Sequence, residues 1–186
     1  HIRQIVRRAG HAAPLVSAPS EKKIQPEKPV CKSKIKQKLD EGKRVVLVEL
    51  DPPRSADLGG FMQGARALAQ AGADAITIAD CPIGRARMDS SILACKMSRE
   101  LGIEALPHMT CRDRNVNATK ALLLGLSMEH VCNVLVVTGD PIPTEDRGSI
   151  KSVYQFNSRV LARFITGLRE NGEIEPFFVC GALNIN

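Results

Sequence analysis

Three side chains able to hold or move a proton, Glu49, His108 and Asp140, stand at or just past the ends of apolar runs. Those runs are VVLVEL (45–50), IEALPHM (103–109) and NVLVVT (133–138). Side chains alternate along a strand, so Val45, Leu47 and Glu49 share one face while Val46, Val48 and Leu50 share the other. With the first set turned inward, Glu49 is the last inward residue before Pro52 and Pro53 stop the strand. A half-buried carboxyl there is desolvated, which favours its neutral form and suits it to general acid work. The same position also suits a structural carboxylate paired with Arg54 or another loop arginine.

His108 and Thr110 close the second of these runs, and Thr138, Gly139 and Asp140 close the third. Gly139 permits a close backbone approach or a positive φ, and Asp140 is expected in the same mouth as Glu49. Two carboxylates with an imidazole between their strands suit proton transfer or a cationic intermediate. Against this, a lone histidine is often a satisfied core residue, and an Asp before Pro141 is a common turn. Arg85, Arg87, Arg112, Arg114 and Arg147 crowd the loops, either as phosphate ligands or as partners of loop acids. There is no H-E-x-x-H, G-x-S-x-G or P-loop string, which leaves metalloprotease, serine hydrolase and ATPase chemistry without support. No metal site is expected.

The strands that must carry these groups recur at near-even spacing: 45–50, 75–79, 103–109, 133–138 and 176–182. Helix-period segments lie between them, over 58–71, 88–101, 116–130 and 153–170, and Gly72, Gly102 and Gly172 mark three of the stops. Strand–helix alternation of this kind predicts right-handed βαβ units and a parallel sheet. A Rossmann sheet would carry G-x-G-x-x-G after a strand, and none is present. Each strand instead runs into a polar loop, among them DPPRSAD, DCPIGRARMD, TCRDRN and TGDPIPTEDRG. That is the pattern of a (β/α)8 TIM barrel, whose site is built from the βα loops at its C-terminal mouth. The chain accounts for about the first five strands.

Charge sorts the chain into parts. The formal net charge is +6, but the first 44 residues hold twelve Lys and Arg against four Asp and Glu, and the remainder is close to neutral. A nucleic-acid groove across the domain is therefore not expected. No apolar run approaches the ~20 residues that span a bilayer. Six cysteines without a C-x-x-C pair point to a reducing, cytoplasmic setting. Residues 1–9 read as the end of a helix, and the Pro-, Ser- and Lys-rich stretch after them as a linker. A start at His1 suggests an excerpt or a processed product. Residues 31–43 predict a short basic helix with only Ile35 and Leu39 as an apolar stripe.

VELDPPR, GIEALPHMTCRDRN and NVLVVTGDP, in this order and spacing, resemble the methylenetetrahydrofolate reductases. The segments ITIADCP…ARMDSS and CGALNIN are most similar to the reductase half of bacterial proteins fused behind a homocysteine S-methyltransferase, and HIRQIVRR is similar to the last helix of that methyltransferase. The resemblance implies residues 1–19 as the tail of a preceding domain, 20–44 as a basic linker with a short helix, and 45–186 as the N-terminal part of a flavin-dependent barrel. It implies FAD in the mouth, NAD(P)H as reductant and methylenetetrahydrofolate as substrate, in a homo-oligomer. It gives Glu49 the role of the acid that opens the folate ring and sets Asp140 beside flavin and pterin. His108, Thr138, Gly139, Asp140, Tyr154 and Gly181 fall at flavin contacts. The chain has Thr138 where well-known members carry Arg, and Ala79 where they carry Thr, which leaves FMN open beside FAD. The competing readings are a barrel enzyme that handles a pterin or phosphorylated substrate without flavin, and a non-catalytic fragment.

Overall fold

Five parallel strands pair in sequence order in the computed structural model, which describes residues 32–183. They are β1 (Leu47–Leu50), β2 (Ala75–Ile78), β3 (Glu104–Thr110), β4 (Asn133–Val137) and β5 (Phe178–Gly181). Between them run α2 (Gly59–Gln70), α3 (Ser90–Leu101), α4 (Val116–Met128) and α5 (Ser158–Glu170), with a short α1 (Lys34–Asp40) ahead of β1. An unbroken β1-β2-β3-β4-β5 order means that every crossover turns the same way, so the helices collect on one face. A doubly wound sheet would reverse its strand order and carry helices on both faces. The chain is therefore an α/β fold of the partial TIM-barrel kind. The helix end and linker expected before residue 32 lie outside the described residues.

Strand register decides which residues face the helices. Glu49, Thr77 and Leu106 align across β1 to β3, and His108 aligns with Leu135 and Cys180 across β3 to β5. The alternate residues, Ile76, Ile78, Met109, Val134 and Val136, point the other way and are buried with Leu93, Met97, Leu123 and Leu126 of the helices. In α5 the buried positions Leu161, Ile165 and Leu168 follow helical spacing, the apolar stripe of a helix lying on a sheet. Polar side chains start three of the four crossover helices. Asp89 accepts from Ser91 and Ile92, Asn115 from Ala118, and Asn157 from Val160, each such cap worth about 1 kcal/mol.

The last helix starts later than its sequence pattern suggested. Residues 153–157 have helical periodicity but are held elsewhere. The Val153 amide donates to the Arg112 carbonyl at 2.7 Å, and Tyr154 takes φ +40°, which no helical residue adopts. Strand β1 is also shorter than expected, because the Val46 amide donates to the Asp74 carboxylate at 2.8 Å and not to a neighbouring strand.

Helix α1 seals the floor of the sheet. Glu104, the first residue of β3, accepts from the amides of Lys34 at 2.7 Å and Ile35 at 3.0 Å, two donors that a helix start leaves unsatisfied. The Asn133 amide group donates to the same carboxylate at 3.2 Å. Ile35 is 2% exposed, whereas Leu39 remains 49% exposed, so the light packing expected of this helix comes down to one residue. Lys38 pairs with Asp74 just before β2.

Cys81, Cys95, Cys111 and Cys180 are free thiols, and burial pushes the Cys111 thiol up to about 11. Cys132 is disulfide-bonded, which departs from the reduced cysteines that the spacing suggested. Among the described residues no helix is long and apolar enough to cross a membrane. Substituting Glu104→Ala removes the acceptor of two helix-start amides and one Asn133 contact. The expected loss is about 1–3 kcal/mol in urea unfolding, with faster proteolysis between residues 40 and 47. An unchanged urea midpoint would show that α1 is held by Ile35 and Lys38 alone.

Candidate active site

The C-terminal ends of β1 to β4 bring Glu49 and His108 together. A Glu49 carboxylate oxygen lies 3.8 Å from Nε2 of His108, across β2, where Thr77 is aligned with Glu49. The histidine side chain is 15% exposed and that of Glu49 57% exposed. The half-buried carboxyl expected at residue 49 is therefore an exposed one. Strand β1 lies at the edge of the described sheet with β2 on one side only, so water reaches its inward face. The expected alternative fails too: the His108 contact is the one polar contact of Glu49 among the described residues, and Arg54 takes no part in it.

His108 is fixed from behind. The buried Ser90 hydroxyl, in the first turn of α3, donates to the His108 carbonyl at 2.9 Å. Burial lowers the pKa of the imidazole, with the negative charges of Glu49 and Asp80 working against that shift. The ring is accordingly neutral at neutral pH, and it does not lock Glu49 into a full ion pair. Its Nε2 is buried and has no hydrogen-bond partner among the described residues. An unpaired buried polar atom costs about 1–3 kcal/mol, so this nitrogen is a place where a ligand atom would be stabilising.

One layer above, the loops after β2, β3 and β4 interlock. Gly139 has φ +95°, and a Cβ built on it would lie 3.0 Å from Thr110 Cβ and 3.5 Å from Arg112 Cβ. The close approach and the positive φ expected of this glycine are both present. Gly84 is equally constrained, since its Cβ would meet the Pro141 carbonyl at 2.6 Å. Asp140 is exposed, and one oxygen of its carboxylate accepts from the Ile83 amide at 2.8 Å. It sits in this loop layer, without direct contact to Glu49 or His108. The Tyr154 hydroxyl donates to the Asp140 carbonyl at 3.1 Å. Thr138 accepts from the Ser158 amide at 3.3 Å at the start of α5, and Gly181 is exposed at the end of β5.

The loop arginines resolve as partners of main chain and loop acids. Arg85 pairs with Glu145, Arg112 with Asp113, and Arg114 bridges Asp80 and Asp89, 2.7 Å from each. Arg87 and Arg147 donate to the carbonyls of Pro52 and Ile142. Asp80 was not singled out by the sequence, yet it is the most connected acid of the mouth. It is 5% exposed and accepts from the Thr110 amide, the Thr110 hydroxyl and Arg114. Burial acts against the charge of Arg114, but Asp80 and Asp89 together hold the guanidinium above its ordinary value. The signal was available in sequence as an acid directly after a strand, as with Asp140, but nothing there showed that its partner would be Arg114.

A singly wound parallel sheet with an acid, an imidazole and a loop carboxylate over the C-terminal ends of its strands is the arrangement in which barrel enzymes carry their sites at the mouth. The chain belongs to the methylenetetrahydrofolate reductase family, whose model matches residues 34–181. It is thereby an oxidoreductase of one-carbon metabolism. No curated protein matches the chain.

Two measurements follow from this geometry. In Gly139→Ala the added methyl must displace Thr110 while holding a left-handed backbone, and a loss of about 1–3 kcal/mol is expected in chemical denaturation. An equally stable variant would show that the loop relaxes freely. The lowered pKa of His108 means that the unfolded chain takes up a proton first as pH falls below 6.5. Stability from this group is complete above that value and is lost as pH falls toward the folded pKa. The urea midpoint should drop between roughly pH 7.5 and 5.5, and drop less in His108→Gln; equal slopes would assign the pH dependence to other groups.

Proposed function

We propose that this chain supplies the catalytic mouth of a flavin-dependent reductase that converts 5,10-methylenetetrahydrofolate to 5-methyltetrahydrofolate with NAD(P)H. The observation that carries the reading is the buried, unpartnered Nε2 of His108 beside Glu49, on the open face of a sheet from this family. A flavin fits the donor set: an orphaned ring nitrogen at His108, the Thr138 hydroxyl, a backbone without Cβ at Gly139, the Tyr154 ring and the open edge at Gly181. His108, Thr138, Gly139, Asp140, Tyr154 and Gly181 are the residues assigned to hold it, as FAD or as FMN. Bound there, the flavin would supply hydride taken from NAD(P)H.

The chain's own groups perform the proton chemistry. Glu49 gives its proton to a ring nitrogen of the folate as the bond from that nitrogen to the bridging carbon breaks. The product of that step is an iminium cation, and hydride addition to its carbon makes the methyl group. A flat ring laid over β1 takes Glu49 out of water, which favours the neutral, proton-donating carboxyl. Neutral His108 sets no positive charge beside the Glu49 carboxyl, 3.8 Å away. Asp140 provides negative charge near the cation.

The wider setting belongs to the same proposal. Residues 1–19 are assigned as the tail of a homocysteine S-methyltransferase and 20–44 as the linker whose helix α1 docks on the barrel floor, with residues 45–186 forming the reductase part. A cytoplasmic homo-oligomer acting in methionine synthesis is the form proposed. Support comes from the sequence resemblance alone.

The test is Glu49→Gln in the intact protein. NADH or NADPH should still bleach the flavin absorbance at near the wild-type rate, while 5-methyltetrahydrofolate formation falls by about 10²–10⁴-fold, the range for loss of a general acid. Near wild-type folate turnover would mean that another group donates the proton. A purified protein without flavin absorbance would favour the pterin-handling enzyme that works without one.

A further inference from the structure

We propose that Arg112 is a positioning residue for Asp140, acting through the main chain of the loop after β4. This rests on the role given to Asp140 in the preceding subsection. Arg112 is 1% exposed and the largest side chain to be fully buried among the described residues. Sinking a guanidinium costs several kcal/mol unless its donors are matched. Its ion pair does not account for that depth, because Asp113 is the next residue and its side chain is 37% exposed. A surface pair would have served as well.

The remaining donors explain the burial. One guanidinium nitrogen donates to the Asp140 carbonyl at 3.0 Å and the other to the Cys81 carbonyl at 3.3 Å. Cys81 opens a turn in which Cys81 has φ +47° and Ile83 φ +55°, values that a β-branched residue adopts only under constraint. That turn presents the Ile83 amide, which holds one oxygen of the Asp140 carboxylate at 2.8 Å. Arg112 therefore grips the acid's own main chain and also the turn that supplies its hydrogen-bond donor. The Tyr154 hydroxyl adds a third hold, on the Asp140 carbonyl. The second carboxylate oxygen accepts no hydrogen bond among the described residues. The residue is tied down on every side but the one a ligand would use.

The experiment is a double-mutant cycle in the intact flavin-loaded enzyme, with Arg112→Met, Asp140→Asn and the pair. Each single change is expected to lower kcat/KM for methylenetetrahydrofolate by about tenfold or more, in the range of a misplaced electrostatic group. The double variant should then fall within about twofold of Asp140→Asn alone, because residues that act through one another do not add. The flavin reduction potential is a readout that lost stability alone does not move; both single variants should shift it in the same direction. Effects that multiply, with no shift of potential in Arg112→Met, would reduce Arg112 to a structural part and overturn the inference. Should Arg112→Met not fold, Arg112→Lys, whose ammonium can reach one carbonyl but lacks the fork for both, carries the same cycle with the same required outcome. A silent Asp140→Asn would remove the role of Asp140 itself and the inference with it. A damaging Asp140→Asn with a multiplying cycle removes the Arg112 assignment alone.

Discussion

The mouth depends on one buried cation. Arg112 joins carbonyls of the loops after β2 and β4, while its own carbonyl accepts from Val153 in the segment before α5. Two loops, each with only one short 3-10 turn of regular structure, are thus referred to a single arginine on the loop after β3. A planar fork of donors is suited to this, where a lysine would offer a single point charge. The neighbouring requirements follow from it. Gly139 has no room for a side chain because the Arg112 and Thr110 side chains crowd it, and Gly84 has none because its turn is pressed against Pro141.

A second charged set, Asp80, Arg114 and Asp89, does for the base of the loops what Arg112 does for their tops. Asp80 takes the Thr110 amide and hydroxyl, and Arg114 ties it to the acid that caps α3. Buried ion pairs contribute little net stability compared with apolar packing of the same volume. Their worth lies in geometry, since a hydrogen-bonded charge has few alternative arrangements. Two such sets flank His108, whose ring nitrogen is left without a partner. Rigid surroundings around one unsatisfied atom are what a binding site needs before its ligand arrives.

Period-two alternation was enough to set Glu49 on one sheet face with Leu47, because a slip of one residue would have buried the acid among the helices. Strand order was readable for a similar reason: regular crossovers and the missing Gly-rich turn left few topologies. The exposure of Glu49 was not readable, as it depends on β1 being an edge of the described sheet. Nor was the late start of α5, since the periodicity of residues 153–157 is helical and only tertiary hydrogen bonds overrule it. The arginines were seen as a group without a choice between anions and loop acids. That choice is made by distances across loops far apart in sequence, which no local pattern encodes. Asp80 looked like any loop acid for the same reason.

The docking of α1 on Glu104 sets a direction for the whole chain. Residue 32 enters at the strand starts, while Glu49, His108 and Asp140 crown the strand ends, so polypeptide leading into this domain arrives by the back door. Helix α1 thus stands clear of the path of anything that approaches the crown.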